Sequence, residues 1–352
     1  MQTSFTIAVS VIIPIYNGQS DLPDLLRSLY AQTYDRNLVE YLIIDNGSQD
    51  NTWSALKQAN IQAQTDRFPL KILQEFKIQG SYAARNQGIR AATAEILAFT
   101  DADCRPEPDW LMNLMQPFGI QPFDSNLSIN SDINSTNNPV NNPANLGWIA
   151  GEVSALPSKN WLERYADRAE TLSQKHTLAN SFSPYGQTAN LAVRKICFTE
   201  VGLFRPYLTT GGDADQCWRI LRETDRQWQF AANAVVRHRH RSTLKELMSQ
   251  WQRYGRSNRF LHDLHGIELM KLPKLGYYAY RLSRWLLKEL PIALLKRNLL
   301  DAFSTPVGLL CLRSRWRGQL NATLPEAARE IPALTEPQHE YGEPQISSKP
   351  LR

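Results

Sequence analysis

Ile7-Ala8-Val9-Ser10-Val11-Ile12-Ile13-Pro14-Ile15 is a continuous apolar run rich in Val and Ile. That composition suits a strand buried on both faces rather than one with a wet side. Ser20 and Asp21 follow as helix-cap candidates, and Leu22, Leu25, Leu26 and Leu29 then recur at helical spacing. A second buried strand, Tyr41 to Ile44, ends in Asp45-Asn46-Gly47-Ser48. The alternation continues with a helix near 51–60, a strand near 70–76, a helix near 82–92 and a strand at 95–100. Strand and helix alternating in this order imply an α/β fold, a mostly parallel sheet flanked by helices. Ligands of such sheets bind beyond the carboxyl ends of the strands. Tyr16-Asn17, Asp45-Asn46 and Asp101-Ala102-Asp103 all fall at such ends.

The 352-residue chain is long enough for one large domain or two smaller ones, and 42% hydrophobic with 21% charged content is ordinary for a globular protein. Cys104, Cys197, Cys217 and Cys311 form no C-x-x-C pair. This argues against a zinc ribbon or a disulfide framework and fits a reducing compartment. No basic n-region precedes the first apolar run, and no run reaches the ~18–20 apolar residues that span a bilayer. A cytoplasmic location is therefore expected. The net charge of +5 is uneven: Arg253 to Arg317 holds 13 Lys or Arg against four acids. Trp285, Leu286, Leu287, Leu290 and Ile292 lie among these cations. That mixture suits an anionic membrane surface, on the inner face of the cell membrane, better than nucleic acid.

Residues 121–145 are dominated by Asn, Ser and Pro and read as a flexible insertion. Ordered sequence resumes at Trp148 with a long helix around 160–178, an extended stretch near 188–194, a helix starting near Asp213 and a strand near 229–237. Helices are expected from about 243 to 320, amphipathic toward the C-terminus, followed by a tail without structure. The division that results is a catalytic domain over 1–242, a helical, membrane-associated region over 243–320 and a disordered tail over 321–352.

Asp101 and Asp103 flank Ala102 directly after an apolar strand. Two carboxylates so spaced can face a hard cation such as Mg²⁺ or Mn²⁺, which takes its other ligands from water and substrate phosphates. Alone, the triplet would read as a solvated turn. Its place at a strand end, beside two other polar strand ends, favours the metal. Asp213 and Asp215 sit in Gly211-Gly212-Asp213-Ala214-Asp215, where glycines permit close approach to a ligand and the acids open a helix. Acids there also simply favour the helix dipole, and both readings stand. Arg85, in the helix opened by Gly80-Ser81-Tyr82, can fork onto phosphate oxygens unless it is merely an exposed arginine. His238 can complete a metal shell, although His238 and His240 also read as surface histidines in a basic run. Arg253, in Gln250-Trp251-Gln252-Arg253-Tyr254-Gly255, either approaches a diphosphate or belongs to a packed helix.

Taken together, these residues resemble the family 2 glycosyltransferases of the GT-A, Rossmann-like fold, over roughly 7–260. Val9 to Asn17 is similar to the family's first strand and nucleotide loop. The resemblance gives donor contacts to Pro14, Tyr16 (against the base), Asn17, Asp45 (on the base edge), Arg85, Asn86, Asp101, Ala102 and Asp103. It implies a metal at Asp101, Asp103 and His238, a general base in Asp213, and acceptor contacts around Asn190, Gly211, Gly212 and Asp215. Two positions depart from the pattern: Asn46 stands where an Asp is common, and Gly212 where a Glu is common. Gln250, Arg253 and Tyr254 loosely resemble the Gln-x-x-Arg-Trp motif of processive members. Tyr replaces Trp here, and no transmembrane helix accompanies it.

The implied activity is inverting transfer of a sugar from a nucleoside-diphosphate sugar to a hydroxyl of a lipid-linked or glycan acceptor, in polysaccharide or glycolipid synthesis. A nucleotidyltransferase would need a Gly-rich, basic loop where this chain has Tyr16-Asn17-Gly18-Gln19, and a nicotinamide-dependent dehydrogenase a G-x-G-x-x-G that is absent. A catalytically inactive sugar-nucleotide-binding scaffold is the other competing class. Gly212 favours it, and the three aspartates Asp101, Asp103 and Asp213 oppose it.

Overall fold

β1 (Val9–Ile15) is buried at every position, as its apolar run requires. In the computed structural model, which describes residues 6–120 and 143–334, β1 pairs in parallel with β2 (Val39–Asp45) on one side. β3 (Leu70–Gln74) extends the sheet beyond β2, and β4 (Ile96–Phe99) lies on the other side of β1, both in parallel. The helices α1 (Leu22–Tyr30), α2 (Thr52–Thr65) and α3 (Ser81–Ala91) make the crossovers. Side chains alternate across the sheet: Val9, Val11 and Ile13 enter one apolar core with Tyr41, Ile43, Ile96 and Ala98. Ile12 enters the other, with Leu42, Ile44, Leu97 and Phe99.

Beyond β4 the sheet changes character. β5 (Cys104–Pro106) and α4 (Trp110–Met115) follow the Asp101–Asp103 triplet. β6 (Leu146–Ala155) and β7 (Leu191–Arg194) run antiparallel to one another, and β7 antiparallel to β4. β8 (Gln227–His238) is parallel to β6, and β5 closes the edge antiparallel to β8, giving the order β3-β2-β1-β4-β7-β6-β8-β5. The parallel half is the part the sequence pattern marks out; β5 is three residues long and gives no periodic signal.

The single helix expected around 160–178 is two, α5 (Trp161–Arg168) and α6 (Gln174–Leu178). Glu170 between them adopts a left-handed backbone with φ 48, and Ser173 caps the second. α7 (Lys195–Val201) and α8 (Gly212–Glu223) precede β8. α9 (Leu244–His265) opens with a reciprocal capping box between Thr243 and Glu246. α10 (Leu275–Arg284) runs through a π turn at Trp285–Glu289 into α11 (Leu290–Leu295), and α12 (Leu299–Leu320) returns along α9. No helix among the described residues is long and apolar enough to cross a membrane.

The disorder expected from 321 onward does not hold for 321–334. Leu324 and Ala328 are buried there, and the Pro332 carbonyl accepts from the Leu203 amide at 2.9 Å. Low apolar periodicity was the wrong signal, because this stretch packs as a short irregular strap rather than as a periodic element. The insertion expected at 121–145 lies almost wholly outside the described residues, as does the tail from 335.

Candidate active site

A cavity of about 720 Å³ opens at the carboxyl ends of β1 and β4. Pro14, Tyr16, Asn17, Arg85, the Asp101-Ala102-Asp103 triplet, Asp213, His238 and Arg253 all line it. Residues up to 239 positions apart in the sequence are thus brought together. Tyr16 is 48% exposed, free to lie against a ligand. The Asn17 side chain accepts from the Gln49 amide at 2.8 Å, and its own amide donates to Ser48 at 2.9 Å, which ties the loop after β1 to the loop after β2.

Arg85 is buried, lies 5.5 Å from the Tyr82 ring centre, and donates from Nη2 to Asp101 Oδ1 at 2.5 Å. Asp103 Oδ2 faces His238 Nε2 at 3.3 Å and the Arg241 guanidinium at 3.7 Å. Burial alone would raise the Asp103 carboxyl, but the imidazole and Arg241 outweigh it and hold the group well below the usual carboxylate range. For His238, burial disfavours the charge, and Asp103 overcomes that to raise its affinity for a proton. The antiparallel register of β5 with β8, which sets Cys104 opposite His238, creates this meeting.

Asp103, Cys104 and His238 place one candidate ligand atom each within 4.8 Å of one another. Cys104 is a poor member of the set. It lies in the apolar core, and burial pushes its thiol far above the range where a thiolate forms. Carboxylate and imidazole suit a Mg²⁺ or Mn²⁺ ion better. His238 Nδ1 is buried with no hydrogen-bond partner among the described residues, and Asp101 and Asp103 line the same cavity, so the residues present fit such an ion.

Asp213, in the first turn of α8, accepts from the Thr188 amide at 3.3 Å and the Thr188 hydroxyl at 3.1 Å. Burial raises its carboxyl above the usual value; Asp101 adds to this, while Arg85 and the hydrogen bonds of Thr188 and Tyr82 oppose it. Asp213 also lines a second cavity of about 520 Å³, together with Gly211, Tyr185, Asn258 and Arg315. Asp213 therefore borders both spaces.

Residues 10–226 match the family described as Glycosyl transferase family 2. This chain belongs to the family 2 glycosyltransferases. The glycosyltransferase is 32% identical to the Glycosyltransferase AglE of Haloferax volcanii, over 79% of this chain and 80% of that one. It is 26% identical to a pre-mycofactocin glycosyltransferase of Mycobacterium tuberculosis, over 71% of this chain but only 46% of that protein. Its fold is shared with a solved mannosyltransferase from Pyrobaculum calidifontis in complex with GDP-Man and Mn²⁺ (TM-score 0.55, 19% identity, 90% of this chain and 88% of that one). S. aureus TarS 1–349 in complex with UDP-GlcNAc is also similar (TM-score 0.50, 13% identity, 89% and 91%).

Several residues expected at the glycosyltransferase's site stand elsewhere. Asp45 is 1% exposed, and its carboxylate accepts from the Ser48 amide at 3.3 Å rather than facing the cavity. Asn86 is buried and clamps the Phe204 backbone, donating to its carbonyl at 2.7 Å and accepting from its amide at 3.1 Å. Asn190 takes the Trp110 indole proton at 2.8 Å and donates to the carbonyls of Glu152 and Ala234. Asp215 is fully buried between Arg205, Arg219 and His265. Asn86, Asn190 and Asp215 are thus committed to buried partners, whereas Asp45 braces the turn at Ser48. Gly212 lines neither cavity; its amide donates to the Tyr82 hydroxyl at 2.9 Å. His240, read as a surface residue, is 8% exposed.

Sequence reasoning missed Tyr82, Arg241 and Thr188. Tyr82 lies three residues before Arg85 on α3, a helical spacing that could have paired them. Arg241 lay within the basic run after β8. Thr188 carries no sequence signal.

Proposed function

We propose that this glycosyltransferase inverts the sugar it moves, from a nucleoside-diphosphate sugar to a hydroxyl of a lipid-linked or glycan acceptor. That Asp213 borders both cavities is the observation that carries this reading. The first cavity suits a donor, as in the similar mannosyltransferase that holds GDP-Man and Mn²⁺. The second suits an acceptor. Asp213 takes the acceptor's proton as its oxygen attacks the anomeric carbon from the face opposite the diphosphate. The bond to the diphosphate breaks as the new one forms, so the anomeric configuration inverts.

Tyr16 lies against the base, and Arg85 and Arg253 face the diphosphate, adding donors where negative charge accumulates. Asp101, Asp103 and His238 would hold Mg²⁺ or Mn²⁺, which adds positive charge to the departing diphosphate. We place the enzyme on the inner face of the cell membrane, in polysaccharide or glycolipid synthesis. The support is a chain of exposed leucines set among lysines and arginines over α10 and α11.

Asp213→Asn is expected to lower kcat by about 10²- to 10⁴-fold while nucleotide affinity stays the same. Near-normal turnover would sink the assignment. Proton NMR of the first-formed product reads the anomeric outcome directly.

A further inference from the structure

Arg315 projects from α12 into the second cavity. Its Nη2 donates to Asn258 Oδ1 at 3.1 Å, and its guanidinium lies 6.0 Å from the Trp251 ring centre. No carboxylate among the described residues answers its charge, and its Nε is buried with no acceptor. By contrast, Arg85 has Asp101, Arg105 has Asp21, and Arg205 and Arg219 share Asp215. A half-buried guanidinium without a counter-ion is unfavourable by itself, and its planar fork matches phosphate oxygens.

Arg315, Trp251 and Ala169 also line a third cavity of about 400 Å³, beneath α10 and α12. Its walls are largely apolar, from Tyr165, Gly308, Leu309 and Leu312, with Arg281 as a second cation. Tyr277 of α10 borders it and is 42% exposed, on a helix with no buried residue. Leu275, Leu287 and Leu295 nearby are 84%, 78% and 86% exposed. From Asp213, the shared wall of the two cavities thus leads past a cation without a carboxylate partner to an apolar space beside helices that bear leucines, lysines and arginines.

We propose that the second and third cavities hold an acceptor whose hydroxyl-bearing headgroup is joined through phosphate to a lipid chain. The hydroxyl reaches Asp213, the phosphate meets Arg315, and the chain enters the apolar cavity toward α10. This deepens the reading of Asp213 given above and rests on it.

Calorimetric titration of the full chain with farnesyl phosphate, farnesol and inorganic phosphate tests it. Farnesyl phosphate is expected to bind about tenfold or more tightly than either fragment. Arg315→Gln should weaken farnesyl phosphate by about tenfold, since a charge-assisted contact is lost. It should also melt close to the wild type, because no ion pair is lost. Gly308→Leu, which fills the apolar cavity, should weaken farnesyl phosphate and leave inorganic phosphate unchanged. Equal binding of farnesol shows that Arg315 reads no phosphate, and equal binding of inorganic phosphate shows that no lipid chain is held; either overturns the proposal. Unchanged farnesyl phosphate affinity in both variants overturns it as well. Titration of UDP and GDP with Mn²⁺ in the same samples separates the two readings. Loss of all nucleotide binding strikes the donor assignment, whereas intact nucleotide binding without farnesyl phosphate binding strikes only this inference.

Discussion

Asn46 stands where the family pattern it resembles would put an acid, and its partners explain the exchange. Its amide donates to the carbonyls of Glu75 and Ile78 at 3.0 Å each, while its oxygen accepts from the Gly80 amide at 2.6 Å. A carboxylate cannot donate to either carbonyl, so Asn is the residue that holds the 75–80 loop, and with it the start of α3. Gly212 has an equally local cause. A Cβ there would meet the Tyr82 ring at 2.7–2.8 Å, so the space a glutamate would need is filled by tyrosine. The missing Glu thus marks a different packing solution, in which the Tyr82 hydroxyl accepts from the Gly212 amide and hydrogen-bonds Asp213. That bond lowers the Asp213 carboxyl, while burial raises it by more. As the proposed base, Asp213 acts when deprotonated, so activity is expected to fall as pH drops through its raised value, above the ordinary ~3.9 of aspartate. Tyr82→Phe removes a lowering contact and should move this acid limb to higher pH. In a pH profile of kcat/KM, a purely structural role for Tyr82 would lower the curve without moving the limb.

At the level of elements, α9 and α12 approach closely enough that side chains are excluded where they touch. A methyl group on Gly255 would overlap the Arg315 carbonyl, and one on Gly318 the Gln252 carbonyl. This contact fixes the rotation of α12 and so aims Arg315 at the second cavity. α10 has the opposite character. None of its residues is buried, and the stretch from it to α12 exposes leucines beside Arg284, Lys288 and Lys296. Apolar contact and attraction to anionic lipid act together on such a surface. Flotation with phosphatidylserine vesicles is expected at low salt and release at high salt. Leu287→Asn with Leu295→Asn should cut the bound fraction roughly tenfold or more, given the value of burying each leucine. A wild type that stays in the soluble fraction at low salt would count against the membrane role.

Across the whole molecule, Asp215 joins parts of the chain far apart. It takes Arg205 Nε at 3.1 Å, Arg219 Nε at 3.2 Å and His265 Nε2 at 2.9 Å, linking α8, the loop before it and the end of α9. Arg205 in turn donates to the Arg329 carbonyl, which fastens the 321–334 strap. Burial opposes the Asp215 charge, but His265, Arg219 and Arg205 overcome it and hold the carboxyl at about 2. Because the folded value lies below the unfolded one, this stability is present above pH ~4 and lost as pH falls toward ~2. Asp215→Asn leaves two buried guanidinium groups unanswered and should cost about 3–5 kcal/mol. It should also flatten the acid side of a urea-unfolding stability profile. An unchanged profile would show that the network contributes nothing net.

The apolar run 7–15, its successors and the polar strand ends were enough to determine the parallel half-sheet and the edge where ligands bind. Those patterns are local, set by side-chain period and by strand termini. Asp101, Asp103, Arg85 and Asp213 were legible because each sits in a short run with its own chemistry. The sequence could not say what Asp213 and Asp215 each face, since both occupy the same first helical turn. Two residues apart on a helix means about 200° of rotation, so one points to the cavity and the other into the core. Only packing against Thr188 on one side, and against Arg205 and His265 on the other, decided which. Asn86 and Asn190 have the right residue types, but their side chains are spent on buried partners brought in by long-range contacts, while Asp45 turns to Ser48 three residues on. The meeting of Asp103 with His238 likewise depends on the register of β5 with β8, a pairing across more than 130 residues. No local pattern encodes such a register, because it follows from how the two cores close around the sheet.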